Sequence, residues 1–129
     1  TKNILEDKPI VIFNRGDHTR DFTHIDIIKD VFLKLINQKK WKQIFKNKNH
    51  EILNLAGGDK IKLLKLIELI EKNCKKKSIK KFVGIQMGDI KETHASLRKI
   101  KKYNLLTKKV SIEQGIRRFV KWYKDYANY

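Results

Sequence analysis

Strand-like and helix-like patterns of apolar residues alternate along the chain. Continuous apolar runs rich in β-branched residues predict three strands, at residues 10–13, 51–56 and 79–85. Alternating polar and apolar residues indicate a further short extended segment at 20–23. Apolar residues at helical spacing predict helices, and these cover residues 1–7, 24–37, 60–74, 97–103 and 112–126. Residues 38–50 are rich in lysine and asparagine and are interpreted as a loop with about one turn of helix.

Polar residues with capping chemistry mark the expected starts of three helices. Thr23 opens a capping box with Asp26, although aspartate is a weaker partner there than glutamate or glutamine. Ser111 opens a second capping box with Gln114, ahead of the last helix. Ser96 is a suitable N-cap for the short helix that follows it.

The apolar faces of three helices predict the core residues. The helix at 24–37 is expected to bury Ile28, Val31, Phe32, Leu35 and Ile36. The helix at 60–74 is expected to bury Leu63, Leu64, Ile67, Ile70 and Cys74. The last helix is expected to bury Ile112, Ile116, Phe119, Val120, Tyr123 and Tyr126.

Strands joined by helices imply a small α/β domain, with α+β character, of about three short strands and four to five helices. A chain of 129 residues with 40% hydrophobic content suits one domain, 1–129, with one core. The single cysteine, Cys74, excludes a disulfide framework and suits a reducing compartment. No apolar run is long enough to span a membrane, so a cytoplasmic protein without a membrane partner is expected.

The net charge of +17 suggests a nucleic-acid ligand, but its distribution argues against specific recognition. Only five of the 31 basic residues are arginines, and the lysines are spread over nearly every segment. Neither groove-reading arginine and asparagine nor a stacking platform of aromatic residues is evident. The composition predicts loose, salt-dependent binding of polyanions and no specific nucleic-acid partner.

The segment from Gly16 to Ile28 concentrates the candidate chemistry. Gly16 and Asp17 are typical of a turn, and Arg20 follows between that turn and a helix start. An arginine fork beside the backbone N–H groups of a helix start suits an anion such as a diphosphate. The alternative is that Arg20 simply forms an ion pair with Asp17 or Asp21.

The spacing of the histidines and aspartates in the same segment argues against a metal site. His18, Asp21, His24 and Asp26 are spaced unlike any usual zinc ligand set. Two histidines on a turn and an extended segment often point apart. No metal site is expected.

Motifs spread along the chain resemble those of one enzyme family. Residues 11–14, 16–17 and 20–26 read Val-Ile-Phe-Asn, Gly-Asp and Arg-Asp-Phe-Thr-His-Ile-Asp. This pattern resembles the opening of the C-terminal substrate domain of extended short-chain dehydrogenase/reductases, nearest to UDP-glucuronate 4-epimerases. Later motifs that agree in order and spacing lie at residues 53–58, 86–89, 93–96 and 111–123.

The resemblance implies half of an enzyme. Family members hold NAD on a Gly-x-x-Gly-x-x-Gly turn of an N-terminal Rossmann domain and use a Tyr-x-x-x-Lys pair in catalysis. The six glycines here never take that spacing, and no tyrosine has a lysine four residues on. We therefore expect a chain without the Rossmann half, without catalytic or cofactor-binding residues, and inactive alone. NAD would belong to the complete family member.

The resemblance also assigns site residues. Arg20 matches the arginine that grips the diphosphate, and Val11 and Phe13 match the strand that lies against the base. Asp89 matches an acidic residue near the ribose and diphosphate. Gln86 stands where some relatives have a second phosphate-binding arginine. Substitutions at neighbouring positions, Met87 for a proline and Ile27 for an acidic residue, depart from the family pattern.

The implied role is to anchor the UDP part of a UDP-sugar while the sugar is epimerised at C4, in precursor supply for surface polysaccharide. The implied partners are the UDP-sugar, a Rossmann half in the same gene or a separate chain, and a second copy in a full-length homodimer. Two alternatives stay open: a basic polyanion- or nucleic-acid-binding module, and an inactive epimerase remnant.

Overall fold

In the computed structural model, which describes residues 1–47, 49–106 and 110–129, short strands and helices alternate as the sequence predicts. The described residues form six α-helices and four three-residue strands, more of each than expected, in a mixed α/β arrangement. The helices are α1 Lys2–Leu5, α2 Ile25–Ile36, α3 Gln38–Phe45, α4 Leu63–Cys74, α5 Arg98–Lys102 and α6 Ile112–Tyr126. The strands are β1 Ile10–Ile12, β2 Thr19–Asp21, β3 Lys60–Lys62 and β4 Lys80–Phe82.

The described chain divides into two units. The first unit comprises Thr1–Arg20, Lys60–Thr93 and Ser111–Tyr129. The second unit comprises Asp21–Asp59 and His94–Val110. No helix among the described residues has the length and apolar character needed to cross a membrane.

The first unit is built on a parallel strand pair and two packed helices. Strand β1 pairs in parallel with β4, and Ile12 lies opposite Phe82. Helices α4 and α6 pack together, and their core is completed from α1. The buried side chains of this core are Ile4, Leu5, Cys74 and Val120. Burial raises the pKa of the Cys74 thiol, as expected for an unreactive core cysteine.

The second unit has a separate core built from α2, α3 and α5. Its buried side chains are Val31, Ile44, Ile100, Tyr103 and Leu105. The carboxylate of Glu51 lies at the edge of this core, where it accepts a 3.0 Å hydrogen bond from the hydroxyl of Tyr103 and pairs with Lys99. Leu53 and Leu55 pack against the same core.

Several helix starts differ from the sequence prediction. Helix α2 is capped by His24, whose Nδ1 accepts a 3.2 Å hydrogen bond from the amide of Asp26. The predicted cap, Thr23, instead accepts a 3.0 Å bond from the amide of Gly57. The N-cap position of helix α5 is Leu97, which makes no side-chain cap, so the prediction that Ser96 caps this helix was also wrong. The capping box of Ser111 is confirmed, because its Oγ accepts from the Gln114 amide at 3.2 Å.

The predicted loop at 38–50 is wrong over its first half. Helix α3 occupies Gln38–Phe45, and Asn37 caps it by accepting a 3.0 Å hydrogen bond from the amide of Lys39. The rings of Trp41 and Phe45 stack at 4.7 Å along this helix. Lys48 of the predicted loop lies outside the described residues.

The strands predicted at 10–13 and 79–85 are confirmed as β1 and β4, although both are shorter than predicted. The strand predicted at 51–56 is wrong. Its side chains alternate in burial from Glu51 to Leu55, as a strand's would. Among the described residues, however, no backbone hydrogen bond joins 52–56 to another segment. Strand β3 stands where the next helix was expected to begin, and that helix starts only at Leu63.

Helix faces are also less fully buried than predicted. On α2, Val31 is buried with Ile27, whereas Phe32 and Ile36 are exposed. On α6, Val120 is buried, but Phe119 and Tyr126 lie largely in solvent. The carboxylate of Glu71 on α4 is almost fully buried, which the apolar pattern did not indicate.

Candidate functional site

A tight turn in the first unit leads the chain into β2 and to Arg20. Gly16 is buried with a φ of +82°, a conformation that favours glycine. A Cβ there would stand 2.6 Å from the Leu64 side chain, so both the backbone and the space require glycine. Thr19 then exchanges backbone hydrogen bonds with the segment from Lys91 to Thr93, at 3.0 and 3.1 Å. These bonds fix the position of Arg20.

The guanidinium of Arg20 is held by three acceptors in the first unit. Its Nη1 donates to the carbonyls of Thr19 at 3.0 Å and Lys91 at 3.1 Å. Its Nη2 donates to Oδ1 of Asp89 at 3.1 Å. Because a guanidinium has five N–H donors, about two remain without a partner among the described residues. The side chain is 28% exposed, so those donors can reach a ligand.

Neither predicted ion-pair partner of Arg20 is used. Asp17 instead pairs with Lys91 at 2.8 Å, and this hydrogen bond holds the pKa of the Asp17 carboxyl below its usual value. Asp21 is engaged in the second unit. The alternative that Arg20 forms a purely local ion pair with Asp17 or Asp21 is therefore wrong, because its partner, Asp89, is 69 residues away in sequence.

Asp89 bridges Arg20 and a buried histidine. A turn places it, with Gly88 at a φ of +80° and the Asp89 amide donating to the Gln86 carbonyl at 3.1 Å. While Oδ1 accepts from Arg20, Oδ2 lies 2.9 Å from Nε2 of His18. The His18 side chain is 5% exposed. Sequence reasoning considered His18 only as a possible metal ligand and did not predict its contact with Asp89.

The remaining predicted site residues lie on β1 or in the segments that follow β1 and β4 in the same unit. Val11 is on β1 and Phe13 directly follows it, and both side chains are substantially exposed. The backbone bonds of β1 continue past the strand, with Asn14 donating to the Gly84 carbonyl at 3.1 Å. Gln86 lies just beyond this point, is exposed, and has no side-chain hydrogen bond among the described residues. The structure thus joins Arg20 and Asp89 directly and leaves Val11, Phe13 and Gln86 open to solvent.

A second carboxylate cluster, in the second unit, serves the backbone. Asp21 has a 5% exposed side chain, and its Oδ1 accepts a 2.8 Å hydrogen bond from the amide of Gly58. Its Oδ2 lies 3.2 Å from Nδ1 of His94 and accepts a longer bond from the amide of Ala95. These bonds tie the Gly57–Gly58 loop to the segment that begins at His94. The arrangement is structural, because the Asp21 carboxylate is used within the second unit.

The lysine-rich surface beside Glu71 is also largely structural. Glu71 accepts hydrogen bonds from the Ser78 amide at 2.9 Å, the Ser78 hydroxyl and the Lys80 ammonium. Lys80 above all, with Ser78, lowers the pKa of the Glu71 carboxyl to about 2. A neighbouring cavity of about 350 Å³ is lined by Glu68, Glu71, Lys72, Lys75, Lys76 and Lys77. Buried negative charge in its wall makes this an unsuitable anion site.

No group of three or more histidine, cysteine or acidic side chains is placed for a metal ion in the described parts of the chain. His24 is used as a helix cap, and His18 and Asp21 belong to different clusters. The four side chains weighed as metal ligands therefore do not converge on one site.

Comparison with known proteins identifies relatives across nearly the whole chain. No protein-family model matches it. An uncharacterized protein of Methanocaldococcus jannaschii is 41% identical over 124 residues, which are 96% of this chain and 36% of that protein. A UDP-glucuronate 4-epimerase of Thermodesulfobacterium geofontis is 35% identical over 125 residues, again 96% of this chain and 36% of that protein.

Solved structures agree with the sequence relatives. The UDP-glucuronic acid 4-epimerase of Bacillus cereus, in complex with UDP-glucuronic acid and NAD, has a TM-score of 0.83 and 30% identity. The match covers 97% of this chain and 38% of that chain. The present chain thus spans little more than a third of the length of the proteins it matches. It belongs to the UDP-glucuronate 4-epimerase family of extended short-chain dehydrogenase/reductases and matches the C-terminal part of those enzymes.

Proposed function

We propose that residues 1–129 form the UDP-sugar-binding part of an NAD-dependent sugar-nucleotide 4-epimerase, with Arg20 as the diphosphate anchor. The observation that carries this proposal is the half-buried Arg20 guanidinium, which is fixed by three acceptors yet keeps about two donors unused. A fixed fork of this kind suits phosphate oxygens better than a mobile surface lysine. The similarity to UDP-glucuronate 4-epimerases supports UDP-glucuronate as the ligand.

The other predicted site residues fit the remaining parts of such a ligand. Val11 and Phe13 expose apolar surface on and beside β1, which suits a nucleotide base. Asp89, which contacts Arg20, suits the ribose hydroxyls as a hydrogen-bond acceptor. Gln86 would add a neutral donor, so the positive charge on the diphosphate would come mainly from Arg20.

In the reaction implied for the complete enzyme, the UDP anchor serves positioning. Binding energy far from the reacting carbon would hold the nucleotide while the sugar turns between two faces of the site. NAD, when bound, supplies hydride removal and return at C4. No glycine set in this sequence fits an NAD site, so the cofactor would be held by a Rossmann half, in the same gene or in a separate chain. We further propose a homodimeric full-length form, a cytoplasmic location and a role in surface polysaccharide precursor synthesis.

Isothermal titration calorimetry with UDP tests this function. The wild-type chain should bind UDP, and Arg20→Ala should weaken binding by about 2 kcal/mol, roughly thirtyfold, because it removes charged hydrogen bonds. Arg117→Ala is the matched control, because Arg117 is also an arginine of the first unit and lies exposed on α6. Equal affinities for all three proteins would contradict the assignment of Arg20.

Two other functions would give different results in the same experiment. A polyanion-binding module would bind UDP and duplex DNA through its lysines, would lose affinity steeply with salt, and would ignore Arg20→Ala. The net charge of +17 favours this alternative, whereas the carboxylate in the wall of the lysine-lined cavity does not. An inactive remnant would be folded and would bind neither ligand.

A further inference from the structure

His18 is a buried polar side chain that the proposed function has not used. Its side chain is 5% exposed, and its Nε2 has no well-aligned hydrogen-bond partner among the described residues. The carboxylate oxygen Oδ2 of Asp89 nevertheless lies 2.9 Å from this nitrogen, off the ideal N–H direction. Burying an imidazole against a carboxylate removes both groups from water. The free-energy cost of this desolvation has to be offset by a close interaction between them.

Backbone hydrogen bonds fix the main chain around His18, and burial confines its ring. Its carbonyl accepts a 2.9 Å hydrogen bond from the amide of Leu63 at the start of α4. The next residue, Thr19, is bonded on both sides to the segment that follows Asp89. The turn before it is also constrained, because a Cβ at Gly16 would stand 2.6 Å from the Leu64 side chain.

The contact divides the two oxygens of Asp89 between two partners. Oδ2 faces His18, and only Oδ1 reaches the Nη2 of Arg20, at 3.1 Å. Arginine and aspartate side chains commonly pair through two parallel hydrogen bonds when both carboxylate oxygens are available. Here the pair shares a single hydrogen bond, and the guanidinium keeps unused donors.

We propose that His18 is a positioning residue that keeps the Asp89–Arg20 pair monodentate and so reserves Arg20 donors for the diphosphate. The inference rests on the proposed function. Without His18, the Asp89 carboxylate turns to meet Arg20 with both oxygens, which uses up a donor and places more negative charge where the phosphates bind.

Two substitutions at position 18 separate this role from simple packing. His18→Phe fills the buried space but removes the ring nitrogen, and His18→Gln keeps an N–H that can reach Oδ2 of Asp89. UDP should bind about tenfold more weakly to His18→Phe, whereas His18→Gln should stay near wild type. His50→Phe, at an exposed histidine of the second unit, is the matched control. Equal affinity of His18→Phe and wild type would overturn the proposal.

A second measurement decides the question even when the wild type does not bind UDP. In the free, ¹⁵N-labelled protein, the Arg20 Nε–H signal should move downfield in His18→Phe, because Asp89 then accepts from a second guanidinium nitrogen. It should stay in place in His18→Gln and His50→Phe. An unmoved signal in a folded His18→Phe protein would overturn the positioning role. Failure of wild-type UDP binding alone would instead refute the proposed function.

Discussion

Two aspartates, Asp89 in the first unit and Asp21 in the second, use similar contacts for different ends. Both carboxylates lie within about 3 Å of a histidine nitrogen, at 2.9 Å for Asp89 and 3.2 Å for Asp21. Asp21 spends its other oxygen on a backbone amide and is 5% exposed. Asp89 spends its other oxygen on Arg20 and is 28% exposed. The buried carboxylate of Asp21 accepts from backbone amides and is structural. The half-buried carboxylate of Asp89 holds an arginine that can bind a ligand.

The largest expected effect is a loss of stability when Asp21, the structural carboxylate, is removed. Asp21→Ala should lower the free energy of unfolding by about 3 kcal/mol, because the part-buried amide of Gly58 loses a charged acceptor. Urea denaturation followed by circular dichroism would measure the change. Asp125→Ala, at an exposed aspartate of α6, is the control and should change stability by less than about 0.5 kcal/mol. A fully stable Asp21→Ala protein would remove the distinction between the two clusters.

Glu71 extends the comparison to a third carboxylate, and its effect should depend on pH. Its pKa of about 2 in the folded protein lies below the ordinary value of 4.5, mainly because Lys80 donates to it. Its stabilisation is therefore complete above about pH 4.5 and is lost as the pH falls toward 2. Glu71→Gln should lower the free energy of unfolding by about 2 kcal/mol at pH 7.

Denaturation of wild type and Glu71→Gln across this pH range would test the sign. The two stability curves should converge as the pH falls from about 4.5 toward 2, because protonated glutamate then resembles glutamine. Glu68→Gln, at an exposed carboxylate of the same helix, is the control. A difference that grows on acidification would contradict the assigned direction.

The smallest effect should come from the exposed ion pair between Asp17 and Lys91. Both side chains are about 70% exposed, at 71% and 68%, although their nitrogen and oxygen atoms are only 2.8 Å apart. Because solvent screens such pairs, Asp17→Asn should leave both the stability and the UDP affinity close to those of the wild type. A large effect on either measurement would show that the short distance between Asp17 and Lys91 matters more than their exposure to solvent.

The same comparison explains which parts of the site could be predicted from sequence. The setting of Arg20 between a turn and an extended segment was visible locally, and the resemblance placed Arg20 and Asp89 at one ligand. Their direct contact was not visible, because it joins residues 69 positions apart. The role of His18 was hidden for the same reason, since a lone histidine carries no signal of its burial. The roles of Val11, Phe13, Arg20, Gln86 and Asp89 in binding stay predictions.

The fold shows a similar limit. The helices with strong apolar periodicity, α2, α4 and α6, were predicted close to their bounds. The segment at 51–56 has a strand's alternation, but a strand also needs a backbone partner, which the described residues do not provide. Helix α3 was underestimated because the lysine- and asparagine-rich composition was given more weight than the helical spacing of Trp41, Ile44 and Phe45. Local pattern therefore predicted the helices better than the pairing of strands.

Backbone amide chemical shifts during a UDP titration of the ¹⁵N-labelled chain test the central claim most directly. The account predicts shifts concentrated at Phe13, Arg20 and Asp89 in the first unit, absent in Arg20→Ala and retained in Arg117→Ala. Signals around Asp21 and Gly58 should serve as the internal reference for a cluster that binds no ligand. A folded protein whose amides do not respond to millimolar UDP, or respond only at the lysine-lined cavity beside Glu71, would contradict it.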